Sequence, residues 1–230
     1  MPTKYALHYP NSIPISDFQS SLISDIQKKD VDPSNCLWAT SVCSDEVNSM
    51  FPVLNSIFAG PGPFVMGGIS GLPFTGITGL KAYLSHVPSN GFAVIIYGPH
   101  IGVTSDAEIG KVLRKNQDVN TGCCGSLIAA VNSLTTSSKI PESNTLDYQQ
   151  ERVLKSLEPF RQDILNSSTP IKIATELAYN NIKNELESII DSAKLDLKGF
   201  RLYLVGGILI NTDWNKPDHF DVRDKNFIML

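Results

Sequence analysis

Apolar positions Phe18, Leu22 and Ile26 recur every fourth residue inside Ser16–Val31, which predicts an amphipathic helix opening at a Ser or Asp cap. "CLWATSVC", Cys36 to Cys43, is a short apolar run rich in strand formers that runs into the polar "SDEVNS". Ile57–Gly79 is dense in Gly and Pro, so it predicts tight turns and close backbone approach, not a regular helix. "LKAYLSHV" predicts a short helix capped by Thr78, and Phe92–Tyr97 in "GFAVIIYG" predicts a buried strand. Thr104–Lys115 reads as a cap plus a short helix, because Ser105 and Glu108 have capping-box spacing.

Farther along, "CCGSLIAAVNSL" predicts a helix starting at or just after Cys123 and Cys124. "DYQQERVLKSLEPFRQDIL" and "IKIATELAYNNIKNELESIIDSAK" predict two longer amphipathic helices. Phe200–Thr212 predicts a strand broken at Gly206-Gly207, and the tail "WNKPDHFDVRDKNFIML" one more short strand. Strand, Gly-rich crossover, strand, helices, strand is an α/β pattern: a mostly parallel central sheet flanked by helices. We expect one domain over residues 1–230, with a helical N-terminal segment over about 1–30. Chemistry in such sheets collects beyond the carboxyl ends of the strands.

Composition narrows the function classes. Of the 230 residues 42% are hydrophobic and 18% charged, which suits a globular chain with a sizeable core. A net charge of −4 disfavours polyanionic partners, nucleic acid among them. No apolar run reaches the roughly 20 residues of a membrane-spanning helix. The N-terminus "MPTKYALHYPNS" shows no signal-peptide or transit-peptide pattern. Cys36, Cys43, Cys123 and Cys124 are too few for a disulfide framework, which predicts reduced thiols or a metal site.

Cys43 and His100, in "YGPHIGVTSD", both fall at the carboxyl end of a predicted strand. Together with one of Cys123 or Cys124 they could form a Cys2His set with an open fourth position, the pattern of a catalytic zinc. Thiolate and imidazole suit zinc and not hard ions. Against this, the three residues are far apart in sequence, with no CxxC or HxxxH unit. Buried cysteines are often inert, as expected for Cys36 at its strand's start. His100 could equally hydrogen-bond a backbone carbonyl. His86 is the competing histidine, at a helix end where imidazolium would meet terminal carbonyls. His8 and His219 fall in polar terminal segments and read as solvated. Asp45 could bind the metal, orient a metal-bound water, or merely cap a helix near Glu46. Deaminase signatures are missing, and so is the CxxC of a thiol redox site.

"CSD" (Cys43 to Asp45), "PHIG" (His100) and "CCG" (Cys124-Gly125) occur in an order that resembles β-class carbonic anhydrases, although an insertion here separates His from Cys. "FAGPGPFVMGGISGLPFTGITGLKAYLSHVP", "YGPHIGVT", "CCGSL" and "GGILINTD" resemble more closely the limiting-CO2-inducible B/C family of algal proteins, from about Val31 onward. The resemblance implies a β-carbonic anhydrase-like fold, a homodimer, and zinc-dependent interconversion of CO2 and bicarbonate in a plastid (stromal) carbon-concentrating role. It implies Cys43, His100 and Cys124 as zinc ligands and Asp45 as the carboxylate beside the zinc's water. Phe64, Leu72 and Phe74 are candidates for holding CO2, with core packing as their rival role. An arginine paired with the aspartate is expected shortly after it, but Ser49 stands there and no Lys or Arg occurs between Lys29 and Lys81. Without it Asp45 would be freer to coordinate zinc, so activity is expected to be low. The alternative is a weak or inactive zinc-binding partner protein in plastid inorganic-carbon handling.

Overall fold

The computed structural model describes residues 7–48, 51–137, 145–194 and 199–230. Its centre is a parallel block of strands: β2 (Leu37–Ser41), β4 (Ala93–Tyr97) and β8 (Arg201–Asn211). The two-residue β3 (Phe64–Val65) extends the block beyond β2, and β5 (His100–Gly102) pairs parallel with the far end of β8. The other edge is antiparallel, with β9 (His219–Met229) on β8 and β1 (Ile13–Pro14) on β9. The sheet is therefore mixed, with a parallel core, in the order β1-β9-β8-β4-β2-β3.

Strand alternation sends side chains to two cores. Ala93, Ile95 and Tyr97 of β4 join Leu202 and Leu204 of β8 on one face, covered by α3 (Gly76–Leu84), α4 (Gly125–Thr136) and α7 (Pro170–Ala193). The shorter α5 (Tyr148–Leu157) and α6 (Arg161–Asn166) pack on the same side. Val94 and Ile96 face the opposite core with Tyr203 and Val205. There α1 (Ile15–Gln27) buries Phe18, Leu22 and Ile26, the predicted stripe, and α2 (Pro52–Ile57) adds Leu54. Each such buried side chain contributes about 1.5–3 kcal/mol.

Several local expectations fail for identifiable reasons. Pro14 and Thr75 precede α1 and α3 with no side-chain cap, and Thr78 lies inside α3. Because α3 begins at Gly76, the end of the Gly-rich block is helical after all. Thr104–Lys115 forms no helix. The Glu108 N–H bonds Thr104 Oγ1, the Thr104 N–H bonds the Glu108 carbonyl, and the chain turns back into β6 (Lys111–Val112), paired with β7 (Thr121–Gly122). The span Asp147–Leu165 is α5 and α6 joined through a 3-10 turn at Glu158–Phe160. Gly206-Gly207 shifts the register of β8 against β9 without breaking the strand, and β9 is long. His219 is buried in β9 and is not solvated. Among the described residues no helix is long and apolar enough to cross a membrane.

Candidate metal centre

β2 ends at Ser41 and β4 at Tyr97, and the chain immediately beyond each carries Cys43 and His100. Close backbone packing sets both turns. A Cβ on Gly67 would lie 2.3 Å from the Val42 carbonyl oxygen, beside the Cys43 loop. Gly98, at φ +146, lets the chain pass the Gly207 carbonyl, where a Cβ would sit only 1.7 Å away. Cys124 comes from a third segment as the N-cap of α4.

Cys43 Sγ, Cys124 Sγ and a ring nitrogen of His100 all lie within 4.8 Å of one another, and all three residues are buried. The two sulfurs are 3.9 Å apart. Two thiolates on one tetrahedral zinc, each at ~2.3 Å, would be about 3.8 Å apart. The His100 Nδ1–H donates to Asn211 Oδ1 at 2.7 Å, and Asn211 Nδ2 donates to the Val47 carbonyl at 3.2 Å, which fixes the amide's orientation and the ring's tautomer. That leaves Nε2 as a buried acceptor with no hydrogen-bond partner among the described residues. A buried lone pair between two thiols, already oriented from behind, fits a soft or borderline metal ion. Cys123 Sγ sits 3.4 Å from His100 Nδ1, the nitrogen that Asn211 already holds. Asp45, His100 and Cys123 form a second, overlapping group.

The sulfurs share protons unequally. A hydrogen bond from Cys124 pulls the Cys43 thiol down to about 4, against the effect of burial. The Ser70 N–H, 3.2 Å from Cys43 Sγ, adds a donor to the same sulfur. The bond to Cys43, reinforced by burial, pushes Cys124 up. Burial opposes a charged His100, but Cys124 and the other sulfurs outweigh it and raise its affinity for a proton. Without a metal the cluster therefore holds protons where a metal ion would replace them.

Asp45 precedes a 3-10 turn over Glu46–Asn48, and its Oδ1 accepts from the Val47 N–H at 3.4 Å. Its Oδ2 lies 3.9 Å from His100 Nε2. Asp45 does have an arginine partner, contrary to the sequence reading: Arg114 Nη2 is 3.2 Å from Oδ2 and 3.4 Å from Oδ1. The arginine arrives from 69 residues away. Ser49, where it was sought, lies outside the described residues. Burial and a hydrogen bond with Glu46 raise Asp45, while the same hydrogen bond and Arg114 hold Glu46 down at about 2.

A cavity of about 320 Å3 reaches Cys43 and Asp45, with Trp38, Val42, Phe51 and Val65 among its apolar walls. Phe64, Leu72 and Phe74 do not line it. Phe64 packs on Tyr83, Phe74 on Tyr148, and Leu72 belongs to the helix-covered core.

The sequence profile of the limiting CO2-inducible proteins B/C, β-carbonic anhydrases, matches residues 12–228. The chain belongs to this family. Among solved structures, PtLCIB4, a homologue of the limiting CO2-inducible protein LCIB, is 27% identical, with a TM-score of 0.89 over 100% of this chain and 99% of that one. A point variant of PtLCIB4 is 28% identical, with a TM-score of 0.87 over 98% and 92%. LCIB itself has the same fold at 21% identity, with a TM-score of 0.73 over 99% and 98%. No curated protein matches the chain.

In this LCIB/C-family chain the fold gathers Cys43, Asp45, His100 and Cys124 at the carboxyl edge of the sheet, and leaves Cys36 buried at the start of β2 and His86 exposed. Sequence reasoning missed Asn211 and Arg114. Asn211 lay inside the quoted "GGILINTD" as the last residue of a strand. Arg114 lay inside the insertion that separates His100 from Cys124, a cation in the segment that breaks the β-class spacing.

Proposed function

We propose that this chain catalyses zinc-dependent reversible hydration of CO2 to bicarbonate, with Cys43, His100 and Cys124 holding the metal. The observation that carries this reading is the buried His100 Nε2, without a hydrogen-bond partner among the described residues and aimed by Asn211 into a pair of sulfurs. Zinc, when bound there, supplies a water acidified to near-neutral pH, the nucleophile that adds to CO2 to give bicarbonate and a proton. Asp45 stands beside the cluster, where its carboxylate can accept a hydrogen bond and orient that nucleophile. The apolar walls of the adjoining cavity suit CO2, which offers little to hydrogen-bond. Membership of the family supports a carbonic anhydrase at the level of the superfamily. The homodimer and the plastid carbon-concentrating role are part of this proposal, taken from the resemblance. Zinc stoichiometry and stopped-flow CO2 hydration on the purified protein test the proposal, and a protein that retains no zinc overturns it.

One observation favours a second reading, a zinc-binding protein with little or no activity in inorganic-carbon handling. Asp45 Oδ2 lies close enough to His100 Nε2 to belong to a candidate ligand set itself. A carboxylate bound as the last ligand would leave no open position. Full zinc occupancy without hydration activity would select this reading.

A further inference from the structure

Two neighbouring glutamines in the first turn of α5 each reach one of the segments that carry the candidate sulfur ligands. Gln149 Oε1 accepts the Ile69 N–H at 3.0 Å. The next residue, buried Ser70, stands at φ +60 and ψ −5, a left-handed conformation uncommon for a residue with a Cβ. In that pose its N–H meets Cys43 Sγ at 3.2 Å. The same block grips the Cys43 segment by its backbone. The Ser44 N–H bonds the Gly68 carbonyl at 3.2 Å, and the Ser41 hydroxyl bonds the Gly71 carbonyl at 2.9 Å. Gly68 leaves room for the glutamine, because a Cβ there would lie 2.3 Å from Gln149 Oε1.

Gln150 turns to the other segment. Its Oε1 accepts the Ser126 hydroxyl at 2.7 Å, and its Nε2 donates to the Ser126 carbonyl at 3.0 Å. Ser126 lies two residues after Cys124, in the first turn of the helix that Cys124 caps. Helix α5 is a firm base for both grips. It buries Val153, Leu154 and Leu157 in the helix-covered core, and Arg152 Nη2 pairs with Glu185 Oε1 of α7 at 2.6 Å.

We infer that Gln149 and Gln150 are positioning residues, a bridge that sets the separation of the Cys43 and Cys124 sulfurs and keeps an N–H bond on the first of them. The inference rests on the metal reading above and adds to it a control that acts from outside the site. The two sulfurs stand 3.9 Å apart although their residues are 81 positions apart in the chain, so tertiary contacts hold that spacing. Helix α5 supplies one such contact to each side. The two grips differ in chemistry. Losing Gln149 frees the Ser70 N–H and changes both the place of the Cys43 sulfur and its electron density. Losing Gln150 changes place alone.

The test titrates the full chain with Co2+ and reads the sulfur-to-cobalt charge-transfer band. Hydrogen exchange of the Ile69 and Ser70 amides is a second readout that needs no metal. Gln149→Leu is expected to bind Co2+ about 10–100-fold more weakly. Its band moves to longer wavelength, because a sulfur relieved of an N–H donor gives up charge more readily. Its Ile69 and Ser70 amides exchange faster by about tenfold or more. Gln149→Glu keeps an oxygen for the Ile69 N–H and recovers affinity and band. Gln150→Ala weakens Co2+ binding without the band shift, and combining it with Ser126→Ala costs less than the sum of the two, since both cut one grip. Wild-type affinity and band in Gln149→Leu or in Gln150→Ala overturn the bridge. So does weaker binding in Gln149→Leu with an unmoved band and unchanged exchange at Ser70, which is destabilisation alone. If Gln149→Leu fails to fold, Gln150→Ala and Ser126→Ala decide by the same comparison with wild type. A wild type that binds no Co2+ overturns instead the metal reading, and the amide exchange of Gln149→Leu then decides the bridge by itself.

Discussion

Tyr97 and His100, both buried, stand three residues apart at the same end of the sheet, and each enters a polar cluster. The Tyr97 hydroxyl donates to Asp224 Oδ1 at 2.6 Å, while Tyr179 and Lys183 meet Oδ2, each at 2.7 Å. Both carboxylate oxygens are satisfied, and Lys183 and the two hydroxyls hold Asp224 low against the effect of burial. His100 is satisfied on one side only: Asn211 takes Nδ1, and Nε2 is left beside two sulfurs with no hydrogen bond from the described residues. Tyr97 and His100 are both buried, so a residue's own burial does not mark the functional cluster. A closed network joins β4, β9 and α7 and explains itself as structure. An open network, with one buried ring nitrogen held in place and not hydrogen-bonded by any described residue, calls for a ligand.

Cys43→Ser should break the open cluster most severely. The substitution removes a thiolate that two donors already favour. We expect retained zinc to fall below detection and CO2 hydration to drop more than about 100-fold, beyond the usual effect of an outer-sphere change. Zinc analysis after dialysis and stopped-flow assays measure both, and a zinc-replete, active Cys43→Ser would remove Cys43 from the ligand set. Asp224→Ala should do the reverse. It strips two phenols and a lysine of their acceptor and should cost about 2–4 kcal/mol in urea unfolding. Its zinc content should match wild type, and a loss of zinc there would mean that the two clusters are coupled after all.

The comparison also shows which parts of the molecule could be read from its sequence. The α1 stripe and the strand ends beyond β2 and β4 were legible because periodicity and Gly-rich punctuation are local signals. Cys43 and His100 could be nominated once strand ends were located, since parallel sheets gather their chemistry there, whereas Cys124 was singled out over Cys123 only by the family resemblance of its Cys-Gly pair. Their partners could not. Arg114 reaches Asp45 through a loop whose fold depends on Asp213, another hundred residues on. Local spacing even misled, since Thr104 and Glu108 close a turn and do not begin a helix. The tail's charges hid the length of β9, because Arg223 and Lys225 point outward to Glu176 and Asp25 while Phe220 fills the core. Residue chemistry was legible from the sequence; which buried group goes unsatisfied was a property of the fold.

A smaller effect is expected from behind the ring. Asn211→Ala should leave His100 unheld, with Nδ1 facing Cys123 alone at 3.4 Å. Outer-sphere partners of metal-bound histidine are typically worth 10–100-fold in metal affinity, and we expect a weakening of about that size. Competition with a zinc chelator measures it. Asn211→Asp keeps an acceptor for the Nδ1–H and should recover most of the affinity; if both variants bind zinc like wild type, the tautomer lock has no function.

The smallest expected effect lies at the end of β8, where Asp218 accepts the Thr212 N–H at 2.6 Å. Burial raises its carboxyl from 3.8 to about 6, against the bonds from Thr212. The folded chain then binds this proton more tightly than the unfolded chain. The sign follows: stability is highest below pH 4 for this group and falls as the pH rises toward 6, above which the loss is constant. Discounted for partial exposure, the loss is on the order of 1–2 kcal/mol. Asp218→Asn keeps Oδ1 as the acceptor and cannot ionise, so it should gain that amount at pH 7 and nothing near pH 4. Urea titrations of both proteins across this range measure the difference. Equal slopes would place Asp218 with the satisfied carboxylates such as Asp224, and a steeper slope in wild type would show that one hydrogen-bonded carboxylate at the sheet's carboxyl edge stays under-compensated, as His100 does beside it.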